Sequence, residues 1–184
     1  MNNFSEDENV ITERIDHMIE HRAFWLMLGL IAGLFSTLLI AKYEAILYAD
    51  IRLAFFIPIV VYVSAAAGVQ TTTIYIRALA SKRKIDFHKY LLKETINGVG
   101  LGIIAGIVLG AFAYFWLHST QIAWTLAFTM LINLTIAPAL GVFVPRLLYK
   151  ERADPALGSG PVDAIVQDII SLLIYLFMAS IFIL

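Results

Sequence analysis

Two carboxylates lie in the last apolar segment of the chain, Val162 to Leu184. A charge at membrane depth costs roughly 2.5–3.5 kcal/mol on insertion scales, so such residues usually face a cavity or a partner. Asp163 and Asp168 are five positions apart, which is about 140° around an α-helix. They cannot chelate one ion from a single helical face, so each is expected to have its own role.

Asp168 is the stronger candidate for an ion site. Its predicted helical face is small and polar and comprises Ala164, Asp168, Ser171 and Tyr175, with Gln167 at its flank. The nearest basic residue in the sequence is Arg152, so no local ion-pair partner is available. We therefore favour a position on a permeation path, while a structural aspartate paired with a cation from another helix remains open.

Asp163 is predicted to have a structural role at the cytoplasmic mouth. Pro161 suits the first position of a helix, and Gly158–Gly160 is expected to break the chain before it. Asp163 would then lie in the first turn, where free N–H groups and the helix dipole stabilise a carboxylate.

A run of four polar residues interrupts the second apolar block. This run predicts a polar wall along the pore and comprises Gln70, Thr71, Thr72 and Thr73. The alternative is that each hydroxyl bonds to its own helix backbone. Glu94, at the start of the third block, is either a surface charge or part of an entrance.

Five apolar blocks position these residues. Each is near the roughly 20 residues that a helix needs to cross a membrane, and none alternates as barrel strands do. Sixty per cent of the residues are hydrophobic and the mean hydropathy is +0.83. We predict an all-α membrane protein with five transmembrane helices, with blocks at about 23–41, 53–79, 96–117, 122–144 and 162–184.

Residues 1–22 form a separate, acidic piece. Ser5 and Glu8 fit a capping box, and the apolar residues that follow fall on one helical side. We predict a cytoplasmic juxtamembrane amphipathic helix over 1–22 and a five-helix ion-conducting domain over 23–184. Packing beneath a pore as part of a gate is the alternative role for this helix.

The distribution of charge predicts the orientation. Eleven of the thirteen Lys and Arg residues fall on the side that holds the N-terminus. The positive-inside rule then puts the N-terminus in the cytoplasm and the C-terminus outside, in a multi-pass protein of the cytoplasmic membrane. The basic residues around 82–93 are interpreted as topology and lipid headgroup contacts, and no nucleic acid partner is expected.

Other chemistry finds little support in the sequence. The chain contains no Cys, and its four His residues fall at or outside the membrane edges, so no thiolate or imidazole metal cluster is predicted. Phosphate-binding glycine motifs are absent. No catalytic residues and no enzymatic activity are predicted. Glycines recur every four residues at Gly98, Gly102, Gly106 and Gly110, which predicts close helix packing.

Three stretches resemble the membrane domain of MgtE-type magnesium channels. They begin at Tyr43 (YEAIL…GVQTTTIYIRALA), Leu91 (LLKETINGVGLG) and Asp154 (DPALGSGPVDAIVQDIISLLIYL). Their order and spacing match, and the resemblance covers Arg22 to Leu184. Two positions depart from the family pattern, because Val69 stands where asparagine is expected and Ser171 where glycine is common.

The resemblance implies a homodimer with its pore at the two-fold axis. It implies that Asp168 binds the transported Mg²⁺, that Ala164 offers a backbone carbonyl to the hydrated ion, and that Glu94 is the glutamate of an LKE motif. It also implies that the family's cytoplasmic N-domain and paired CBS domains are missing. A sodium- or proton-coupled divalent cation exchanger and a non-transporting membrane partner of a larger transporter remain as alternatives.

Overall fold

A computed structural model describes residues 15–81, 86–150 and 155–183. Within these ranges the chain forms helices and no strand, so the all-α prediction is confirmed. The predicted capping box at Ser5–Glu8 lies outside the described residues. In chain order the helices are α1 (Ile15–Lys42), α2 (Glu44–Ala49), a 3-10 helix (Ile51–Phe56), α3 (Ile57–Ala80), α4 (Phe87–Leu117), α5 (Thr120–Lys150) and α6 (Pro155–Ile183).

Four segments of the described chain are long and apolar enough to cross a membrane. They are Ile51–Ala80, Phe87–Leu117, Thr120–Leu147 and Val162–Ile183. The apolar part of α1 is shorter and runs from Leu26 to Lys42. The expected division between residues 22 and 23 falls inside α1, which continues through it as one helix.

Close packing around α5 forms the core of the bundle. This helix packs against α3, α4 and α6. All four glycines of the stripe on α4 are buried. A Cβ atom at Gly102 would lie 2.9 Å from the Cα of Leu131, and one at Gly106 would lie 2.7 Å from the carbonyl oxygen of Ala127. The predicted packing role of the glycine stripe is therefore confirmed.

The start of α6 differs from the prediction. The helix begins at Pro155, and Gly158–Gly160 and Pro161 all lie inside it. Asp163 is consequently its ninth residue, and the predicted first-turn position is wrong. Inside a helix a glycine costs about 1 kcal/mol and a proline about 3 kcal/mol relative to alanine, so the local preference of this stretch is against helix. Next to an apolar span, where backbone groups must be paired within the protein, the backbone hydrogen bonds of a continuous helix outweigh that preference.

A buried hydrogen bond towards the opposite end of α6 anchors this helix to the 3-10 helix. The hydroxyl of Tyr175 is buried and donates to the carbonyl oxygen of Leu53 in the 3-10 helix at 2.7 Å. Beside it, Arg52 forms an ion pair with Asp50 at 2.6 Å and donates to the carbonyl oxygen of Leu117 at 3.3 Å. The hydrogen bond from Arg52 lowers the pKa of Asp50 below its ordinary value. The Tyr175 contact joins α6 to the 3-10 helix, and the Arg52 contact joins the 3-10 helix to the end of α4.

Candidate functional site

Asp168 lines an open groove between α1 and α6. The groove has a volume of about 520 Å³. Apart from Asp168 and Ser36, its walls are apolar or glycine. Ser36 donates to the carbonyl oxygen of Ala32 in its own helix at 3.1 Å. The lining residues are Leu26, Gly29, Leu30, Ala32, Gly33, Ser36, Ala164, Ile165, Asp168 and Ile169.

The Asp168 carboxylate is partly exposed and available to a ligand. No residue in the described ranges donates a hydrogen bond to it or forms an ion pair with it. It lies six residues after Val162, the first residue of the apolar span, which is about 9 Å along the helix. Ala164 precedes it by one turn on the same wall. The two residues proposed from the sequence as an ion site therefore share one face of α6.

Asp163 has a different environment on the other side of α6. It is fully buried, and the hydroxyl of Thr72 on α3 donates to its Oδ2 at 2.5 Å. Gln167 follows one turn later and is also buried. Its amide occupies the space that a Cβ atom at Gly68 would take.

These residues belong to a polar seam that runs between three helices. In each helix the members are spaced four residues apart, and they are small or polar. On α5, Asn133 Nδ2 donates to the carbonyl oxygen of Ser171 at 3.3 Å. A Cβ atom at Gly141 would lie 2.6 Å from the carbonyl oxygen of Gly68. The members of the polar seam are Ser64, Gly68 and Thr72 on α3, Asn133, Ala137 and Gly141 on α5, and Asp163, Gln167 and Ser171 on α6.

The predicted stripe around Asp168 is divided between these two environments. Ala164 and Asp168 line the groove, whereas Gln167 and Ser171 are buried in the polar seam. Tyr175 is fully buried against the 3-10 helix. Helical periodicity indicated which residues are neighbours on α6, but the positions of α1, α3 and α5 decide which of them reach open space.

The polar run on α3 is divided in the same way. Gln70 and Thr73 are exposed, and the Thr73 hydroxyl donates to the carbonyl oxygen of Val69 at 2.8 Å in its own helix. Thr72 points into the polar seam. The buried Thr71 instead donates to Glu94 Oε2 on α4 at 3.0 Å. Glu94 is thus joined to the polar run, although the four residues do not face one common space within a single copy of the chain.

Sequence reasoning missed the contributions of Ser64 and Asn133. Neither is charged, and each is surrounded by apolar residues, so neither was distinguishable from ordinary packing on its own. The available signal was the shared spacing of four residues on three separate segments. Within the described residues, no group of three His, Cys, Asp or Glu side chains could hold a metal ion.

Comparison with known proteins decides the family. The MgtE profile, described as a divalent cation transporter, matches residues 57–178, which contain both aspartates and the whole polar seam. The chain belongs to the MgtE family. It is 31% identical over 160 residues to the magnesium transporter MgtE of Enterococcus faecalis. It is 30% identical to the magnesium transporters MgtE of Bacillus subtilis over 161 residues and of Thermus thermophilus over 160 residues.

The similarity covers most of the chain but a minority of each MgtE relative. It includes 86% of this chain in all three comparisons. It includes 35% of the relatives from E. faecalis and T. thermophilus and 36% of the relative from B. subtilis. The chain thus spans about a third of the length of the curated relatives it matches. Membership of a multi-pass membrane transporter family agrees with the four apolar spans.

Proposed function

We propose that the chain conducts a divalent cation, Mg²⁺, across the membrane and that Asp168 is its ion-binding carboxylate. The observation that carries this proposal is the unpaired state of Asp168 on the open groove, inside an apolar span. Intramembrane carboxylates are rare and usually mark an ion or substrate path. Membership of a divalent cation transporter family supports the same function, and no enzymatic activity is proposed.

The proposed site is completed by a second copy of the chain. One carboxylate offsets only half of the charge of a divalent ion, whereas two copies of Asp168 facing each other across a homodimer axis supply two negative charges. Mg²⁺ gives up water reluctantly and usually takes one or two carboxylates while keeping several waters. Paired Asp168 side chains, with the Ala164 carbonyl beside them, would hold the ion through its hydration shell.

The remaining polar residues are proposed to line the approach to this site. Gln70 and Thr73 are exposed on α3 and are available to a pore formed between two copies. The pair formed by Thr71 and Glu94 would lie near the cytoplasmic entrance. Asp163 is proposed to act near this entrance through its effect on the structure of α6.

The first test is Mg²⁺ flux into liposomes that contain the purified protein. Asp168→Asn preserves the shape of the side chain and removes its charge, so we expect flux to fall at least tenfold while the assembly state is unchanged. Asp163→Asn should only weaken flux. A panel of divalent ions would establish selectivity. Normal flux in Asp168→Asn, together with loss of flux in Asp163→Asn, would place the ion path on the other face of α6.

Topology is a second, separable part of the proposal. We propose that α1 is a fifth transmembrane helix, so that 23–184 forms the membrane domain with its N-terminus inside and its C-terminus outside. The charge distribution supports this orientation. A reporter that is active only after export should be active when fused after Leu184. A reporter that is active only in the cytoplasm should be inactive there, and the opposite pattern would contradict both the orientation and the fifth span.

A further inference from the structure

A small space in the polar seam is bordered by polar groups from three helices. It has a volume of about 10 Å³. Its polar lining residues are each at most 2% exposed and are Ser64 on α3, Asn133 on α5, and Gln167 and Ser171 on α6. The rest of the lining is apolar and comprises Ile136, Ala137, Leu140 and Ile170.

Two of the lining side chains carry polar atoms without a hydrogen-bond partner. These atoms are Oδ1 of Asn133 and both Oε1 and Nε2 of Gln167. Asp163 is near enough to Gln167 for a weak interaction, but that interaction uses at most one end of the amide. Buried polar groups in native proteins nearly always pair with a protein group or an ordered water. Because Asn133 and Gln167 line the same space, one small ligand there contacts both of them.

The size of the space selects a single water molecule. A cavity needs roughly 10–15 Å³ to hold a water, together with about two to four polar partners. The space in the polar seam reaches this volume and has four polar lining residues. Cavities that remain empty in proteins are instead lined by apolar groups. A space of this size holds one bound water and does not admit bulk water.

The chemistry of the lining excludes an ion. None of the lining residues is acidic or basic. A cation in this space would have only neutral oxygen ligands, and an uncompensated buried charge is strongly unfavourable. A water molecule both donates and accepts hydrogen bonds, so it can pair with Asn133 Oδ1 and with either end of the Gln167 amide.

The two serines of the lining can complete the hydrogen bonding. Ser64 Oγ donates to the carbonyl oxygen of Val60 at 2.7 Å, and Ser171 Oγ donates to that of Asp168 at 3.2 Å. Each hydroxyl therefore uses its hydrogen within its own helix, while its oxygen can still accept. A water that donates to Asn133 Oδ1 and to one serine, and accepts from Gln167 Nε2, has about the three hydrogen bonds typical of buried waters.

We propose that the polar seam binds one structural water molecule between Asn133 and Gln167, which links α5 to α6. This water adds a second link to the direct hydrogen bond from Asn133 Nδ2 to the carbonyl oxygen of Ser171. The site is complete within one copy of the chain. It depends neither on the proposed divalent path at Asp168 nor on the charge of Asp163.

The first test is a crystal structure of the unaltered chain, in a lipid mesophase, at a resolution that shows ordered waters. We expect one density peak within about 3.2 Å of both Asn133 Oδ1 and the Gln167 amide. Soaking with Tl⁺ should produce no anomalous signal at this peak, and such a signal would identify a cation site and overturn the proposal. A space without a peak would also overturn it, as would a direct hydrogen bond between Asn133 and Gln167 that closes the space.

The second test is a double-mutant cycle on the purified chain in detergent. Asn133→Leu and Gln167→Met remove the polar groups with little change in side-chain size. Each should lower the thermal unfolding midpoint by at least about 2 °C, because each leaves buried polar partners unpaired. The double variant should lower the midpoint by clearly less than the sum of the two single effects, because both residues act through one water.

Thr125→Val provides the matched control for this cycle. It removes a buried hydroxyl of α5 that donates to the carbonyl oxygen of Gln121, outside the polar seam. Its effect should add to that of Gln167→Met, because separated sites are independent. Additive effects of Asn133→Leu and Gln167→Met would contradict the proposal. Where a variant fails to fold, the crystal structure of the unaltered chain still decides the question.

Discussion

The two faces of α6 give one residue type two opposite environments. Asp168 lies on an open groove, where its carboxylate has no partner among the described residues. Asp163 lies in the polar seam, where a hydroxyl from α3 binds one oxygen and close packing excludes bulk water. The difference arises from the neighbours, because α1 leaves space beside α6 whereas α3 and α5 do not. An intramembrane acid can therefore be interpreted only together with the helix that faces it.

Glycine substitutions should give the largest difference in stability between a variant in the polar seam and a variant on the groove. Gly141→Ala places a Cβ atom 2.6 Å from the backbone carbonyl oxygen of Gly68, so α3 and α5 must separate. Overpacking of this kind costs roughly 1–3 kcal/mol, and we expect the upper end because backbone atoms must move. Gly33→Ala on the groove adds a Cβ atom with nothing within 4 Å and should be neutral or slightly stabilising.

Thermal or denaturant unfolding in detergent measures this first contrast. Yield of the dimer or monomer peak after purification is the supporting measurement, because a seam variant that cannot pack should aggregate. If both glycine variants lose a similar amount of stability, the groove is closed against another helix. If neither variant loses stability, α3 and α5 are less tightly packed than their backbones indicate.

Removal of each carboxylate should give a smaller contrast in stability. Asp163→Ala leaves the Thr72 hydroxyl buried without an acceptor, which costs about 1–3 kcal/mol. Asp168→Ala breaks no contact in the described structure and should change the free energy of unfolding by no more than about 0.5 kcal/mol. Both variants are compared in choline chloride, so that ion binding does not contribute. A large loss for Asp168→Ala would indicate a structural partner and would weaken its proposed role in transport.

Chemical labelling can test which face meets water. The chain contains no cysteine, so a single introduced thiol reports its own position. Ala164→Cys on the groove should react with a charged thiosulfonate reagent at least tenfold faster than Ser171→Cys in the polar seam. The two positions are seven residues apart on one helix, so their difference in rate reports the facing helices. Comparable rates would mean that water reaches the polar seam, and fast labelling at Ser171 alone would reverse the assignment of the two faces.

The four long apolar helices and the separation of the two aspartates were accessible from sequence, because both follow from hydrophobic length and helical periodicity, whereas a fifth transmembrane helix stays a prediction. Ala164 and Asp168 were also correctly grouped on one face. The partners of each face were not accessible, because nothing local to Asp163 encodes its contact with Thr72, 91 residues earlier in the chain. The start of α6 was misassigned because Gly158–Gly160 has a strong local preference against helix that the membrane environment overrides.

Asp50 is a third carboxylate for comparison with Asp163 and Asp168, and its substitution should have the smallest effect on stability. Asp50 lies outside the apolar spans, and Arg52 holds it through a hydrogen bond and an ion pair. Because this interaction lowers the pKa of Asp50, its contribution to stability is present above the ordinary carboxyl pKa near 4 and is lost as the pH falls through the lowered value. Partly exposed ion pairs contribute little.

Asp50→Asn should therefore lower the unfolding midpoint slightly at neutral pH, and the difference from the unaltered chain should vanish as the medium is acidified below about pH 4. Arg52→Gln should reproduce both the loss and its pH dependence, and the double variant should add little to either, because the two side chains act as one pair. A difference that persists at low pH would instead assign the effect to the backbone cap that Asp50 forms with Arg52 N. Both carboxylate oxygens of Asp50 accept hydrogen bonds from Arg52, so neither is available to bind an ion. Asp168 differs, because no described residue binds its carboxylate.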